Sequence, residues 1–424
     1  MTVYAERTAA MPVFFMAALM LAVFTVSVGF GIVLPLLPGL IEQLLGAGAE
    51  AAQVSRHTGF LTGVYTLALF LFAPAWGWAS DWLGRRSVLL VGLLGFGVTM
   101  LIFSFAENLT ATYASRFLSG VFAAAVTPVA AAAIGEFATT EQARARRLVF
   151  VSMAGIVGFL VGPMLSVFIN RFAAALFTIT QPAESLKIPL LATALLAIVV
   201  ALAVAFAVPG GQRSNRPSKV LSFVDKTAWI VPKLLALTFI VYAGVGVFEV
   251  GLALRGTQEL DLTPYQIALM FTECSLVMLA MQAIVFSPWV KPDTTRWLIP
   301  PALAVLSVGL FLVPHAASFK LLLAVIGAVA ASAGILAPIL TYWISNKAGS
   351  AQGWELGKQT AAASLGATAG SAAGGLVFNV AVLPGASFVL IAGLTVLGFV
   401  LSLGLPRSLV PRNLQDRTVV SETP

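Results

Sequence analysis

Hydrophobic residues along this chain come in long unbroken runs separated by short polar breaks. The first runs from near Met11 to Leu37, and others follow at roughly 57–79, 87–106, 110–136, 148–170 and 188–208. A second set lies at roughly 232–254, 264–287, 297–314, 319–344, 357–380 and 384–405. Each is close to the roughly 20 residues that a helix needs to cross the hydrocarbon of a bilayer. A backbone amide finds no water there to bond, so the spans are predicted to be helices. The alternation expected of an outer-membrane barrel is absent. The pattern therefore predicts an all-α polytopic membrane protein with twelve transmembrane helices, numbered here as spans 1 to 12.

The longest polar break, PGGQRSNRPSKVLSFVDKTAW, divides the spans into two sets of six. It predicts a six-helix half over 1–208, a linker over 209–231, a second six-helix half over 232–406 and a tail over 407–424. The halves echo each other. Span 5 carries Gly158, Gly162 and Pro163 within GIVGFLVGPML, and span 11 carries Gly366, Gly370 and Gly374 within GATAGSAAGG. Glycines four apart leave one helical face bare, so a neighbouring helix can approach closely. Any tightly packed bundle can use such faces. Their recurrence at the fifth position of each half, around a central linker, points instead to a duplicated six-helix unit, an arrangement that many secondary transporters share.

Composition agrees: 59% of the residues are hydrophobic, only 10% are charged, and the mean hydropathy is +0.97. The first apolar run is too long for a signal-peptide core and lacks a clear small-residue cleavage site, so it is expected to be retained as span 1. The single cysteine, Cys274, excludes an internal disulfide, and two histidines leave little for a metal site. No cofactor and no metal are expected.

A net charge of +7 raises nucleic acid as a partner, but the placement of the charge argues against it. With both termini on one side, the loops on that side hold 18 of the 24 basic residues. The opposite loops hold five, and Arg116 falls inside span 4. The bias obeys the positive-inside rule. Both termini are expected in the cytoplasm of a cell whose plasma membrane the chain crosses, that of a bacterial inner membrane, with lipid as its surroundings.

One break, GWASDWLGRRSVL at 77–89, is unusually rich in charge. Arg85 and Arg86 are what a cytoplasmic loop would carry. Asp81 stands four residues before Arg85 and would pair with it in a helical turn. Gly77 and Gly84 would allow a tight reversal.

This segment resembles the loop between spans 2 and 3 of the major facilitator superfamily, G-x-L-A-D-R-x-G-R-R. Gly77, Asp81, Gly84, Arg85 and Arg86 match in register, while Ala79, Ser80 and Trp82 depart. The resemblance implies a gate latch in which Asp81 lies against the N-terminus of span 11 and Arg85 reaches an acid at the end of span 4, where Glu136 stands. Gly31, Pro35 and Pro38 of span 1 are similar to the G-x-x-x-P-x-x-P of drug/proton antiporters. Arg116 and Gly120 match the R-x-x-Q-G-x-G-A-A element of span 4, with Ser119 and Phe122 as departures. Gly158, Gly162 and Pro163 match the antiporter element of span 5, with Ser166 and Val167 in place of its final glycines. The layout is most similar to the tetracycline and multidrug proton antiporters. Spans 1, 4, 7 and 10 line the cavity in that superfamily, which makes Tyr242, Phe248, Tyr342 and Trp343 candidate substrate contacts.

Three ionisable residues sit well inside spans: Arg116, Glu249 and Glu273. Burying such a group costs at least roughly 2.5–3.5 kcal/mol on insertion scales, so each is a functional candidate. A carboxyl held among apolar residues can take up and release protons near neutral pH. The competing reading is a structural ion pair between Arg116 and one of the two glutamates. Span 1 holds no acid, so coupling would use the second half or Glu136. The expected function is proton-coupled export of a small amphipathic or drug-like molecule by a monomer whose halves rock about a central cavity. An uptake, metabolite or lipid carrier of the same fold is the alternative. An enzyme would need clustered histidines, cysteines or paired carboxylates, and a sensor a soluble output domain. The sequence offers neither.

Overall fold

The structure is a computed structural model that describes residues 13–46, 48–137, 141–176, 182–209, 229–285, 287, 290–347, 352–380 and 385–409. Among these residues every regular element is helical. Eleven helical segments among them, with short breaks and 3₁₀ or π turns counted in, are long and apolar enough to cross a membrane. The remaining predicted span, span 11, is the helix Gln352–Val377, rich in glycine, alanine and serine. Most of the predicted linker (210–228) and of the tail (410–424) lies outside the described residues.

Several spans differ in extent from the hydropathy runs. Span 1 is one helix, Val13–Leu45, that continues through Pro35 and Pro38. Neighbouring helices support such prolines in a membrane. Span 2 is Ala51–Leu83, so Asp81 belongs to its last turn. The predicted loop shrinks to a single joint, Gly84, whose φ of 85° favours a residue without Cβ. Span 3 begins immediately, at Arg85.

Span 4 is not one helix but two, Leu109–Ala123 and Val126–Phe137. Pro128 explains the break: it has no N–H to offer the carbonyl of Ala124, four residues back. The chain tightens there, and Ala125 N–H bonds Phe122 O at 3.1 Å. Span 5 is Glu141–Leu176 and span 6 Pro182–Ala207. Span 7, Ile230–Leu254, ends in a π-helical turn over Arg255–Glu259. Span 8 is Pro264–Val285. Span 9 is Ile299–Leu312, preceded by the 3₁₀ segment Pro292–Leu298. Span 10 is Phe319–Lys347, and span 12 is Ala386–Ser402.

The helices pack as two bundles, each with its own apolar core. One core is drawn from spans 1 to 6. The other is drawn almost entirely from spans 7 to 12. In the first, span 1 packs on spans 5 and 6, span 3 on span 6 and span 2 on span 4. In the second, span 7 packs on spans 11 and 12 and span 8 on span 10. The bundles meet where span 2 packs on span 11 and span 5 on span 8.

The bare glycine faces lie within these packings. A Cβ on Gly158 would stand 2.5 Å from Phe24 O, and one on Gly162 would stand 2.8 Å from Val28 O, both on span 1. On span 11, Gly366 and Gly370 face the Phe239 and Ala243 carbonyls of span 7, with Gly374 beside Val247. No larger residue would let these backbones approach so closely.

Candidate functional site between the bundles

A row of aromatic rings crosses from one bundle to the other. Phe30 of span 1 stacks on Tyr65 of span 2 at 5.2 Å and on Phe159 of span 5 at 5.8 Å. Phe159 meets Phe271 of span 8 edge-on at 6.5 Å. Tyr65 and Phe271 are buried, whereas Phe30 and Phe159 keep part of their surface open. None of these four belongs to the charged, glycine or motif positions that stand out in the sequence. A signal was present, since Phe30 precedes Gly31 and Phe159 follows Gly158. The glycines bring the helices together, and the adjacent rings line the seam.

Arg116 terminates the row, its guanidinium 4.5 Å from the centre of the Tyr65 ring. The side chain is 1% exposed, and none of its three nitrogens has a hydrogen-bond partner. Glu249 of span 7 and Glu273 of span 8 are both partly buried. Glu273 directly precedes Cys274 on span 8, and Glu249 lies about two helical turns beyond Tyr242 on span 7. Oε2 of Glu273 is enclosed without a hydrogen-bond partner, and Oε1 lies beside Gly327 of span 10. Among the described residues, Arg116 on one bundle and the two glutamates on the other form no ion pair. The structural ion pair weighed from the sequence is therefore not formed here.

The four cavity candidates fare differently. Tyr242 is partly buried near Glu249, and Tyr342 is partly buried against Trp343, ring centres 5.3 Å apart. Phe248 and Trp343 instead belong to the core of the second bundle, at 2% and 1% exposure. Trp343 donates Nε1–H to Thr295 Oγ1 at 3.1 Å. Their helical faces turn inward because each packs on its own bundle, which corrects the expectation that they contact substrate.

At the face opposite the linker, the far face, the bundles are locked together. Asn379 Nδ2 donates to Ser55 Oγ at 2.6 Å and to Gln258 Oε1 at 3.0 Å, and Ser55 Oγ donates to Gln258 Oε1 at 3.1 Å. Gln258 Nε2 also donates to Ala51 O at 3.2 Å. Below this cluster Gly59 and Gly375 bring spans 2 and 11 into backbone contact, and Thr66 bonds Thr368 at 3.0 Å. The π turn delivers Gln258 to the cluster. Arg255 anchors that turn, pairing with Glu259 and donating to Pro314 O and Ala316 O, each at 2.9 Å.

Toward the linker face, Asp81 pairs with Arg85 across the Gly84 joint at 2.6 Å, and Arg85 also donates to Ser80. Asp81 is half-exposed. Gly77 lies inside the span 2 helix rather than in a turn, with open space around it. Arg86 is partly buried in the first turn of span 3. The Glu136 side chain and residues 348–351, which precede span 11, lie outside the described residues.

A family model described as Major Facilitator Superfamily matches residues 19–354. The chain belongs to that superfamily. Such a transporter, with many membrane-spanning helices, takes small molecules as substrates. Multidrug resistance protein 2 of Bacillus subtilis (strain 168) is 24% identical over 385 residues, covering 88% of this chain and 91% of that protein. Quinolone resistance protein NorA of Staphylococcus aureus (strain MRSA252) is 22% identical over 364 residues, covering 84% and 88%. In fold the transporter is similar to a bacterial homologue of the human lysosomal transporter Spinster, solved inward-facing and unoccupied. The TM-score is 0.71 and the identity 13%, over 93% of this chain and 97% of that one.

Proposed function

We propose that this transporter exports a small amphipathic or drug-like molecule across the plasma membrane in exchange for protons. The observation that carries the reading is the pair of glutamates at membrane depth, Glu249 and Glu273, on consecutive spans and without a cationic partner among the described residues. A buried carboxylate without a partner is costly as an anion and far less so when protonated. Such a group can therefore link its proton to the conformation that surrounds it. The names of the relatives, multidrug and quinolone resistance proteins, support efflux of drug-like molecules.

In this reading the moving units are residues 1–208 and 232–406 of a monomer, with both termini cytoplasmic as the basic loops suggest. The described conformation is then closed to the outside by the Ser55–Gln258–Asn379 cluster. Substrate enters from the cytoplasm and lays its apolar body on Phe30 and Phe159. Proton uptake by Glu249 and Glu273 and substrate release alternate as the outer cluster breaks. The Asp81–Arg85–Arg86 segment, with Glu136 as partner of Arg85, then latches the cytoplasmic side. The bare faces of Gly158, Gly162, Gly366, Gly370 and Gly374 keep each unit stiff as it rocks.

A resistance screen in cells lacking their own exporters tests the proposal. The wild-type chain is expected to confer resistance to some lipophilic compounds, and both Glu249→Gln and Glu273→Gln to lose it at equal expression. Full resistance with both variants would remove the coupling assignment.

A further inference from the structure

A cavity of about 260 Å³ opens near the far face of the first bundle, between spans 1, 3 and 6. Spans 3 and 6 pack on each other and span 6 on span 1 within that bundle. The cavity is therefore separate from the aromatic row between the bundles. Its walls are mostly apolar, with Leu36 and Leu40 of span 1, Phe103 of span 3 and Leu190 of span 6 among them, and Gln43 and Ser104 add polar groups. Two opposite charges also line it, Glu107 just beyond the end of span 3 and Lys187 on span 6. They form no ion pair with each other or with any other described residue, and the Lys187 ammonium lies 5.8 Å from the Phe105 ring.

We propose that this cavity binds a zwitterionic aminophospholipid of the adjoining leaflet. One acyl chain lies against the leucines, the phosphate meets Lys187 and the ammonium meets Glu107. The volume is below the roughly 300–1,000 Å³ of a site for a drug-sized ligand, which suits part of a chain and not an enclosed transport substrate. Apolar walls at the end of three membrane helices favour a molecule that is itself half apolar. The long stem of Lys187 reaches naturally toward a headgroup. Two unpaired opposite charges on one cavity fit a headgroup that carries both. A primary ammonium can donate hydrogen bonds to Glu107. The trimethylammonium of a choline lipid cannot, and a glycerol headgroup brings no cation at all.

The test uses the purified full-length transporter in detergent and follows its thermal midpoint by tryptophan fluorescence. Short-chain phosphatidylethanolamine, phosphatidylcholine, phosphatidylglycerol and inorganic phosphate are titrated separately. A ligand that binds the folded state raises the midpoint in a saturable manner. Phosphatidylethanolamine is expected to give the largest rise, about twice that of the other lipids at equal concentration. The rise should fall by about half or more in Lys187→Gln, in Glu107→Gln and in Leu40→Trp, each compared with its own lipid-free midpoint. Lys320→Gln, near the same face on the other bundle, should respond as wild type does. Equal rises for all three lipids, an equal rise with inorganic phosphate alone, or an undiminished rise in both charge variants would overturn the proposal. If Leu40→Trp fails to fold, the two charge variants decide.

Discussion

Replacing Ser55 by alanine removes the hydroxyl at the centre of the far-face cluster. That hydroxyl accepts from Asn379 at 2.6 Å and shares its one proton between Ala51 O at 2.9 Å and Gln258 Oε1 at 3.1 Å, so both contacts it makes between the bundles disappear. A neutral hydrogen bond contributes about 0.5–1.5 kcal/mol net, which sets an upper range of about 1–3 kcal/mol for the two. Asn379 is exposed and Gln258 partly so, and water can replace part of what they lose. The expected shift is therefore about 1–2 kcal/mol, or a factor of about 5–30 in population, toward a far-face-open state. Only that state gains, because only the closed state contains the bonds. Nitroxide labels at Glu50→Cys and Lys320→Cys straddle the seam, and Cys274 is buried and so spared from labelling. Pulsed dipolar spectroscopy should show the longer distance population growing by that factor in Ser55→Ala. A distance distribution identical to that of wild type would refute the idea that this cluster holds the bundles closed.

Three further predictions rest on other contacts. Gly158→Val should destabilise the fold by about 1–3 kcal/mol through overpacking against Phe24 O, whereas Gly393→Ala, inside the span 12 helix with open space around it, should leave the thermal midpoint unchanged or slightly raised. Arg255→Gln frees the Pro314 and Ala316 carbonyls and loosens the π turn. It should cost about 1–3 kcal/mol and move the label distances in the same direction as Ser55→Ala. Asp81→Asn or Arg85→Ala should lower turnover in vesicles more than substrate affinity measured by fluorescence titration. Unchanged turnover in both would count against a latch at that joint.

Much of the architecture was legible because hydropathy and glycine spacing are local signals. Twelve apolar runs, a basic central break and matched glycine faces follow from neighbouring residues alone. Extents were harder, since a helix can continue past its apolar core, as span 2 does to Leu83 and span 1 to Leu45. The break in span 4 was readable in principle from Pro128, but hydropathy does not register a missing N–H donor. The far-face cluster joins Ser55, Gln258 and Asn379, which are hundreds of residues apart and individually unremarkable polar side chains. Nothing local marks them as partners. Phe248 and Trp343 looked like cavity aromatics because span number says which helices face the cavity, not which face of each helix does. The charge of Arg116 was visible, but its cover by Tyr65 depends on how spans 2 and 4 pack.

Proton coupling through the two glutamates is most directly tested in proteoliposomes enclosing a pH-sensitive dye, with the transporter in a uniform orientation. Addition of a transported lipophilic compound should drive protons in the direction opposite to the compound, and Glu273→Gln should abolish the proton signal. Compound movement without any proton flux, or full coupled flux in Glu249→Gln and Glu273→Gln alike, would contradict the account.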